Sequence, residues 1–379
     1  MGRKSVAVLD VRSSEIALIV GERGINRTFV FKASKTEPYD GYQDGQFYDV
    51  KGLKNAIFSA LSAAEQICGE HIRELFVGVP GEFTHVIPKE QNVGFQKKRK
   101  IVEKDLTALF QSGEEVLEGH RFIRASSLIY VTADNRRIID PTGLSSTGLS
   151  GVISYFYCTE YFASTMEEIF KDKRITLRFL PAQLAMATYL IPSETRDEYA
   201  LFLDVGFLSS TICAVLGGGF LAQSTYWAGR GQIAVKLMKR FDLPYETAVA
   251  LLSRANLYAK AEDTMEFNFR GVSYEIPVPE FVETVKEGLD ELCELIGEFL
   301  EDCSSRVFES KPLYVSGEGI CDIRGALEHM SKRLSRVCEQ VTPDLPYYNK
   351  PAMSSRIALV DMAYEDHRKS GILYRLLNA

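Results

Sequence analysis

The sequence predicts an α/β fold made of two similar lobes, because one pattern of residues occurs twice along the chain. An apolar run that begins at Val6 ends in Asp10-Val11, and a second run that begins at Leu201 ends in Asp204-Val205. In both copies a Ser-Ser pair comes next, then an isoleucine two positions on and a glycine seven positions on. Two strands joined by a tight loop are the simplest interpretation of each copy.

The segments after the two copies also match each other. The first copy continues into a predicted strand, Arg27 to Ala33, and a helix, Val50 to Cys68, with apolar residues on one face. The second continues through three glycines at 217–219, a turn signal, into a strand ending at Trp227 and a helix, Gln232 to Phe241. A duplicated βββαβα unit therefore predicts two lobes with a cleft between them.

The remaining elements are predicted from apolar periodicity and turn residues. In chain order we predict a strand Glu74–Val79, a helix Glu103–Leu117, strands Phe122–Val131 and Val152–Cys158, a helix Tyr161–Phe170, a strand Ile175–Phe179, helices Ala182–Leu190 and Glu246–Arg254, a hairpin Met265–Phe269 with Val272–Ile276, and helices Glu280–Asp302 and Ser355–Tyr364. The basic run Lys97-Lys98-Arg99-Lys100 is expected to be a solvated loop, with binding of an acidic partner or a lipid headgroup as the alternative.

Composition excludes several classes of function. The chain has 379 residues, with 46% hydrophobic and 25% charged residues, as in an average globular protein. Its 44 basic and 51 acidic residues give a net charge of −7, which argues against broad nucleic-acid binding. The seven cysteines form no CxxC pair and the five histidines are scattered, so we expect free thiols and no metal site.

Targeting signals give the expected location. We find no signal peptide at the start, and no apolar stretch approaches the roughly 18 residues that cross a bilayer. Because the unpaired cysteines also indicate a reducing compartment, we expect a cytoplasmic protein.

The segments around the repeat resemble one family. Asp140-Pro141-Thr142-Gly143-Leu144 resembles the NPxGLxG stretch of the bacterial cell-division protein FtsA, and the twice-repeated apolar strand, Asp and hydroxyl pattern is that of the actin and heat-shock-chaperone ATPase superfamily. Leu180-Pro181-Ala182, the 228–233 stretch AGRGQI and the 313–320 stretch LYVSGEGI resemble its first connecting helix, its glycine pair and its adenosine loop. The chain is thus similar to FtsA-like proteins, including the type IV pilus protein PilM, over nearly its whole length.

The resemblance implies where the lobes and an inserted subdomain begin and end. We expect a first lobe at 1–79 and 173–198, an inserted FtsA-type α+β subdomain at 80–172, a second lobe at 199–335, and a return to the first lobe at 336–379. Family members end in a flexible linker and an amphipathic membrane helix. The tail Ile372–Ala379 is too short for stable membrane attachment by itself, so we expect it to pack on the first lobe, with any membrane association weak or indirect.

The resemblance also implies an ATP–Mg²⁺ site, since glycines let backbone amides approach phosphates and carboxylates hold the magnesium shell. The residues that match or lie in its loops are Asp10, Ser13, Ser14, Asp204, Gly206, Ser209, Ser210, Gly229, Gly317 and Gly319.

Several positions depart from the family pattern. In the first loop, DxGTxK in the family, Arg12 replaces the glycine and Glu15 the lysine. In the second, DxGGGTxD, Phe207 and Leu208 replace glycines and Thr211 replaces the second Asp. Glu318 replaces a glycine of the adenosine loop, and Val249 and Leu252 stand where the family has ribose-binding Glu and Lys.

Losing each polar contact costs about 1–2 kcal/mol of binding, so we expect a degenerate site without catalysis. The resemblance thus implies ATP–Mg²⁺ as the ligand, and the substitutions predict that it binds weakly or not at all. The purely structural interpretation of Asp10 and Asp204 is that they form turns at the ends of strands.

The sequence thus predicts a cytoplasmic actin-like scaffold of bacterial cell division that acts by protein binding and self-association. The resemblance implies FtsZ (through its tail), FtsA or another division protein as partner, at the inner face of the membrane. Two alternatives stay open: an active or nucleotide-switched ATPase using Asp10 and Asp204, and a PilM-like adaptor for a pilus assembly protein.

Overall fold

The computed structural model describes residues 5–23, 29–259, 264–303, 308 and 310–377, and it describes side chains of the last helix through His367. The start of the strand predicted from Arg27 lies outside the described residues, and so do the side chains and the end of the tail Ile372–Ala379. Their predictions stay untested.

The elements of the first half of the chain alternate between strands and helices. They are β1 (Val6–Val11), β2 (Glu15–Arg23), β3 (Phe29–Pro38), β4 (Tyr42–Gln43), β5 (Gln46–Phe47), α1 (Val50–Cys68), β6 (Glu74–Val79), β7 (Thr84–Lys100), α2 (Glu103–Gln111), β8 (His120–Thr132), β9 (Arg137–Ile138), β10 (Ser145–Thr159), α3 (Glu160–Phe170), β11 (Thr176–Pro181), α4 (Ala182–Leu190) and α5 (Ser193–Asp197).

The second half contains the longest helices. Its elements are β12 (Ala200–Val205), β13 (Ser210–Leu216), β14 (Gly219–Tyr226), α6 (Arg230–Phe241), α7 (Tyr245–Leu252), β15 (Thr264–Phe269), β16 (Val272–Pro277), α8 (Val278–Asp302), β17 (Leu313–Ser316), α9 (Ala326–Arg333), β18 (Cys338–Gln340) and α10 (Ser354–Leu377). The last helix is longer than predicted, because it continues past Tyr364 without a break.

The chain divides into two compact units. Unit 1 contains residues 1–199, 213–223 and 354–379, and unit 2 contains residues 200–212 and 224–353. Three separate stretches of sequence thus build unit 1. The tip of the β13–β14 hairpin belongs to it, and there the Gly218 amide donates to the carbonyl of Ser127 at 3.0 Å.

Two five-stranded sheets repeat one topology. The first has the order β11-β6-β1-β2-β3 and the second the order β14-β13-β12-β17-β18. In the first, β2 pairs antiparallel with β1 and β3, whereas β6 pairs parallel with β1 and β11. In the second, β17 pairs parallel with β12 and β18. This matching order confirms the predicted α/β fold with a duplicated βββαβα unit.

A third sheet lies between β6 and β11 in the sequence, with the order β7-β10-β8-β9. Its strands are antiparallel, and Tyr155 and Tyr157 of β10 are fully buried in its core with Ile153. The basic run 97–100 was wrongly expected to be a loop. It ends β7, because Arg99 and Lys100 pair with Ser146 and Ser145 of β10.

The return to unit 1 comes later than we expected. The chain stays in unit 2 through Met353 rather than leaving it at 336, because β18 adds to the edge of the unit 2 sheet beside β17. From Ser354 onward α10 lies in unit 1, where Ile357, Leu359 and Val360 are fully buried.

Among the described residues, no helix is both long and apolar enough to span a bilayer. The same residues contain no group of three His, Cys, Asp or Glu side chains placed to hold a metal ion. None of the seven cysteines, all of which lie in the described ranges, forms a disulfide.

Candidate functional site

Asp10 lies at the end of β1 and is 1% exposed. Its Oδ1 accepts a hydrogen bond of 2.7 Å from the hydroxyl of Ser355, the second residue of α10. Its Oδ2 lies 3.9 Å from Nε of Arg356. A buried carboxylate is tolerated only when it is paired and hydrogen-bonded, and here the start of α10 supplies both interactions.

Arg356 also neutralises Glu15, the residue that stands in place of the family's lysine. Its guanidinium forms an ion pair with the Glu15 carboxylate and donates to the Thr36 hydroxyl at 3.1 Å. The arginine is buried, so most of its donor positions are directed at groups of unit 1. Sequence reasoning missed Ser355 and Arg356, because about 340 residues separate them from Asp10 and Glu15 and no local pattern marks them.

The first loop closes on itself. The Arg12 amide donates to the carbonyl of Glu15 at 2.9 Å, and the Tyr39 hydroxyl donates to the carbonyl of Arg12 at 2.6 Å. The carbonyl of Ser14 accepts from the Tyr39 amide at 3.2 Å, and Ser13 is buried. The Arg12 guanidinium is buried as well, with Nη1 4.0 Å from Sδ of Met186. Backbone groups of this loop are therefore already hydrogen-bonded within unit 1.

The second loop is in unit 2 and starts at Asp204, which is 3% exposed at the end of β12. The Gly206 amide donates to the carbonyl of Ser209 at 2.9 Å and closes the turn between β12 and β13. Ser209 and Ser210 are buried, and the Ser210 hydroxyl donates to the carbonyl of Ala228. The loop is thereby fastened to the segment that precedes α6.

The start of α6 is bonded to the same loop. The amides of Arg230 and Gly231 donate to the carbonyls of Gly206 and Phe207, at 3.2 Å and 2.7 Å. Gln232 accepts from the Gly229 amide at 2.9 Å through Oε1 and donates to the carbonyl of Leu208 at 2.8 Å through Nε2. Free amides at a helix start are a common binding site for phosphate, but here Gln232 and two loop carbonyls occupy three of them.

Three glycines of unit 2 are explained by backbone packing. A Cβ on Gly229 would lie 2.6 Å from the carbonyl oxygen of Gly206, and one on Gly319 would lie 2.6 Å from the same atom. Gly317 has a φ of +99°, and a Cβ there would lie 2.3 Å from the carbonyl oxygen of Val205. These positions require glycine whether or not a ligand is present.

The 313–320 stretch, which resembles an adenosine loop, is hydrogen-bonded to a side chain of the protein itself. Arg230 is 8% exposed, and its Nη1 donates to the carbonyl of Gly319 at 3.1 Å and to Oδ1 of Asp322 at 2.7 Å. Burial raises the pKa of the Cys321 thiol to about 12, with a smaller contribution from the carboxylates of Asp322 and Asp204. The thiol is therefore protonated and is not a nucleophile at neutral pH.

The two positions expected to contact ribose carry apolar side chains of α7. Leu252 is fully buried and Val249 is half-buried. Neither offers a hydrogen bond to a sugar hydroxyl, as the sequence predicted from their residue types.

The structure brings the predicted residues together within each unit. Asp10, Ser13 and Ser14 lie on one hairpin of unit 1. In unit 2, three separate stretches of sequence meet: a Cβ on Gly317 would lie 2.5 Å from Oδ1 of Asp204, and the Gly319 amide donates to the carbonyl of Val205 at 2.9 Å. Gly206, Ser209, Ser210 and Gly229 belong to the same bonded cluster of unit 2.

Comparison with curated proteins finds sequence similarity to the cell division protein FtsA of Pseudomonas aeruginosa. The identity is 19% over 206 residues, which cover 54% of this chain and 49% of that protein. The chain thus spans about half the length of the curated relative it matches. No protein-family model matches the chain.

Comparison with solved structures shows the fold. The PilM–PilN type IV pilus biogenesis complex aligns with a TM-score of 0.65 and 14% identity, over 96% of this chain and 99% of that chain. MreB5 of Spiroplasma citri bound to AMPPNP aligns with a TM-score of 0.59 and 10% identity, over 99% of both chains.

The ethanolamine utilization protein EutJ of Carboxydothermus hydrogenoformans aligns with a TM-score of 0.56 and 12% identity, over 95% of this chain and 90% of that chain. The chain therefore has the actin-like ATPase fold, as the sequence predicted, and it is a divergent protein similar to FtsA in sequence and to PilM in structure.

Proposed function

We propose that the chain is a scaffold or adaptor of bacterial cell division, with a degenerate nucleotide site, that acts through protein binding and self-association. One observation carries the proposal. The amides of Gly229, Arg230 and Gly231, which open α6, are bonded to Gln232 and to the carbonyls of the second loop. A phosphate would have to displace these bonds before it could use the same donors.

The first loop supports the proposal independently. The resemblance implies a lysine where Glu15 stands, and a glutamate would repel a phosphate. Arg356 lies beside it, but its guanidinium is engaged by Glu15, Thr36 and Asp10. Recruiting Arg356 to a nucleotide would leave the buried Asp10 carboxylate without its cation, which is costly.

The FtsA similarity supports a role in division. The proposed partners are the tail of FtsZ, FtsA itself or another division protein, with recruitment to the division site at the inner face of the membrane. Any contact with the membrane is then weak or made through the partner.

A pilus adaptor is the second candidate, and the structural alignment with the PilM–PilN complex favours it. In that case the chain would bind the cytoplasmic tail of a membrane protein of pilus assembly. Affinity purification from the native cell distinguishes the two candidates, since division proteins should be recovered in one case and pilus proteins in the other.

An active or nucleotide-switched ATPase is the third candidate, since the aligned MreB5 structure holds AMPPNP. Asp10 and Asp204 would then hold the magnesium shell, and the serines and glycines of the two loops would contact the phosphates. The engaged backbone donors at the start of α6 argue against it.

Calorimetry with Mg²⁺–ATP decides between a degenerate and a working site. We expect no binding at millimolar nucleotide for the wild-type chain and for Asp204→Ala. Asp172→Ala, which removes an exposed carboxylate after α3, serves as the matched control. Micromolar binding that Asp204→Ala abolishes and Asp172→Ala retains would overturn the proposal.

A further inference from the structure

The outer edge of β7 is a long strand edge without a strand partner among the described residues. β7 runs for 17 residues and is the outermost strand of the order β7-β10-β8-β9, so β10 pairs with one of its edges. A strand edge of this kind presents backbone N–H and C=O groups that an added strand can bond.

Pro88 shows which residues of β7 point their backbone groups outward. Proline has no N–H and is accepted in an edge strand where that group would face solvent. Pro88 pairs with Ser154, and the register to β10 is regular from there to Gly94. Because backbone groups alternate along a strand, Glu90 and Asn92 share the outward orientation of Pro88.

The C-terminal end of β7 concentrates positive charge in a chain whose net charge is −7. Lys97, Lys98 and Lys100 are exposed and form no ion pair within the described part of the chain. Arg99 differs from the three lysines because its charge is already paired. Its guanidinium forms two hydrogen bonds of 2.7 Å to the carboxylate of Asp105 and lies over the Phe95 ring.

The Arg99–Asp105 pair fastens the C-terminal end of β7 to the start of α2. Asp105 also accepts from the Val102 amide at 2.9 Å and so caps α2, and the Arg99 guanidinium holds the pKa of the Asp105 carboxyl below its usual range. The pairing of β7 with β10 shifts between Gly94 and Arg99, so Lys97 and Lys98 lie in an irregular stretch of the strand. The Arg99–Asp105 pair holds β7 at the point where regular pairing resumes.

We infer that the outer edge of β7, which is regular from Pro88 to Gly94 and is followed by the three lysines, docks an acidic peptide segment of a partner protein in extended form. The peptide adds a strand to the sheet beside β7, and its carboxylates lie against the three lysines. The backbone edge favours a peptide over a lipid surface, because a headgroup gains nothing from a ladder of N–H and C=O groups. This inference rests on the proposed adaptor function and names the chemistry of its partner.

The probe is a fluorescein-labelled octapeptide of alternating valine and glutamate, which spans roughly 26 Å when extended. Peptides of alternating valine with glutamine or with lysine are the matched controls. Fluorescence anisotropy of the full chain should show binding of the glutamate peptide, weakened at least tenfold with either control peptide and by added salt.

Two variants test the two parts of the surface. Lys97→Glu/Lys98→Glu reverses the charge at the end of β7. Asn92→Pro removes an N–H that points outward, so no hydrogen bond to β10 is lost. Each should weaken the glutamate peptide at least tenfold. Lys332→Glu/Lys350→Glu changes the net charge equally at exposed positions of unit 2 and should leave binding unchanged. Circular dichroism confirms that each variant is folded.

Four outcomes would overturn the inference. Equal binding of the glutamine peptide would remove the charge requirement, and full binding by Asn92→Pro would remove the strand edge. Lysine-dependent binding to phosphatidylglycerol vesicles, without peptide binding, would assign the lysines to a membrane. Absence of peptide binding together with absence of Mg²⁺–ATP binding would remove this surface and leave the scaffold proposal intact.

Discussion

Arg356 connects parts of unit 1 that are far apart in sequence. It is 8% exposed and faces two carboxylates, Asp10 at the end of β1 and Glu15 at the start of β2. Glu15 is therefore part of an internal ion-pair network, and the cation it needs comes from α10. Such a network fixes geometry more than it adds stability, because each charge loses its hydration on burial.

We predict that Arg356→Met lowers the free energy of unfolding by about 3–5 kcal/mol, since it leaves the Asp10 carboxylate buried without a cation. Arg356→Lys keeps the charge but loses the fork that reaches Glu15 and Thr36, so its effect should be smaller. Urea unfolding followed by circular dichroism measures both. If the double variant Asp10→Asn/Arg356→Met is no more stable than Arg356→Met, the unpaired Asp10 carboxylate is not the cause of the destabilisation.

At the scale of elements, α8 contains two glycines in different surroundings. Gly288 faces Ile233 of α6, which is 2% exposed, and a Cβ there would lie 2.8 Å from Cγ1 of Ile233. A Cβ on Gly297 would have no heavy atom within 4 Å. The first glycine lets two helices approach closely, whereas the second has no packing reason.

We predict opposite effects for the two alanine substitutions in α8. Gly297→Ala should raise the free energy of unfolding by about 0.5–1 kcal/mol, because alanine lowers the entropy of the unfolded chain. Gly288→Ala should lower it by about 1–3 kcal/mol, because Ile233 or the helix must move. Each variant is the control for the other in urea unfolding, and equal signs would show that the α6–α8 contact does not decide the outcome.

At the scale of the whole molecule, unit 1 is discontinuous in sequence. Its sheet is built from residues of the N-terminal half, and α10 returns from the far end of the chain to contact β1 and α4. Leu359 shows how closely it packs, because a Cβ on Gly78 of β6 would lie 2.5 Å from Cδ1 of Leu359. The C-terminal helix is therefore part of the core of unit 1.

We predict that Leu359→Ala lowers the free energy of unfolding by about 2–5 kcal/mol, since it opens a cavity beside β6. Leu295→Ala, at a half-buried position of α8, is the matched leucine control and should cost less. Circular dichroism in urea measures both variants. A wild-type midpoint for Leu359→Ala would mean that α10 contributes little to the stability of unit 1.

Local patterns predicted most elements, and their failures share a cause. The duplicated Asp-Val and Ser-Ser pattern identified the two sheets because strand alternation and turn residues act over a few neighbours. The run 97–100 was missed as a strand because four consecutive cations carry no period-2 pattern. Its strand form depends on β10, about 45 residues away in sequence, and on Asp105.

By itself, the sequence determined the fold class and the duplication, and it predicted the site positions and the residue types that depart from the family pattern there. Only the tertiary structure assigned Arg356 to Asp10 and Glu15, bonded the start of α6 to the second loop, and placed β7 at a sheet edge. The physical reason is that charge pairing and donor use are properties of groups close in space. Local sequence encodes which groups are present, whereas packing over hundreds of residues decides which of them meet.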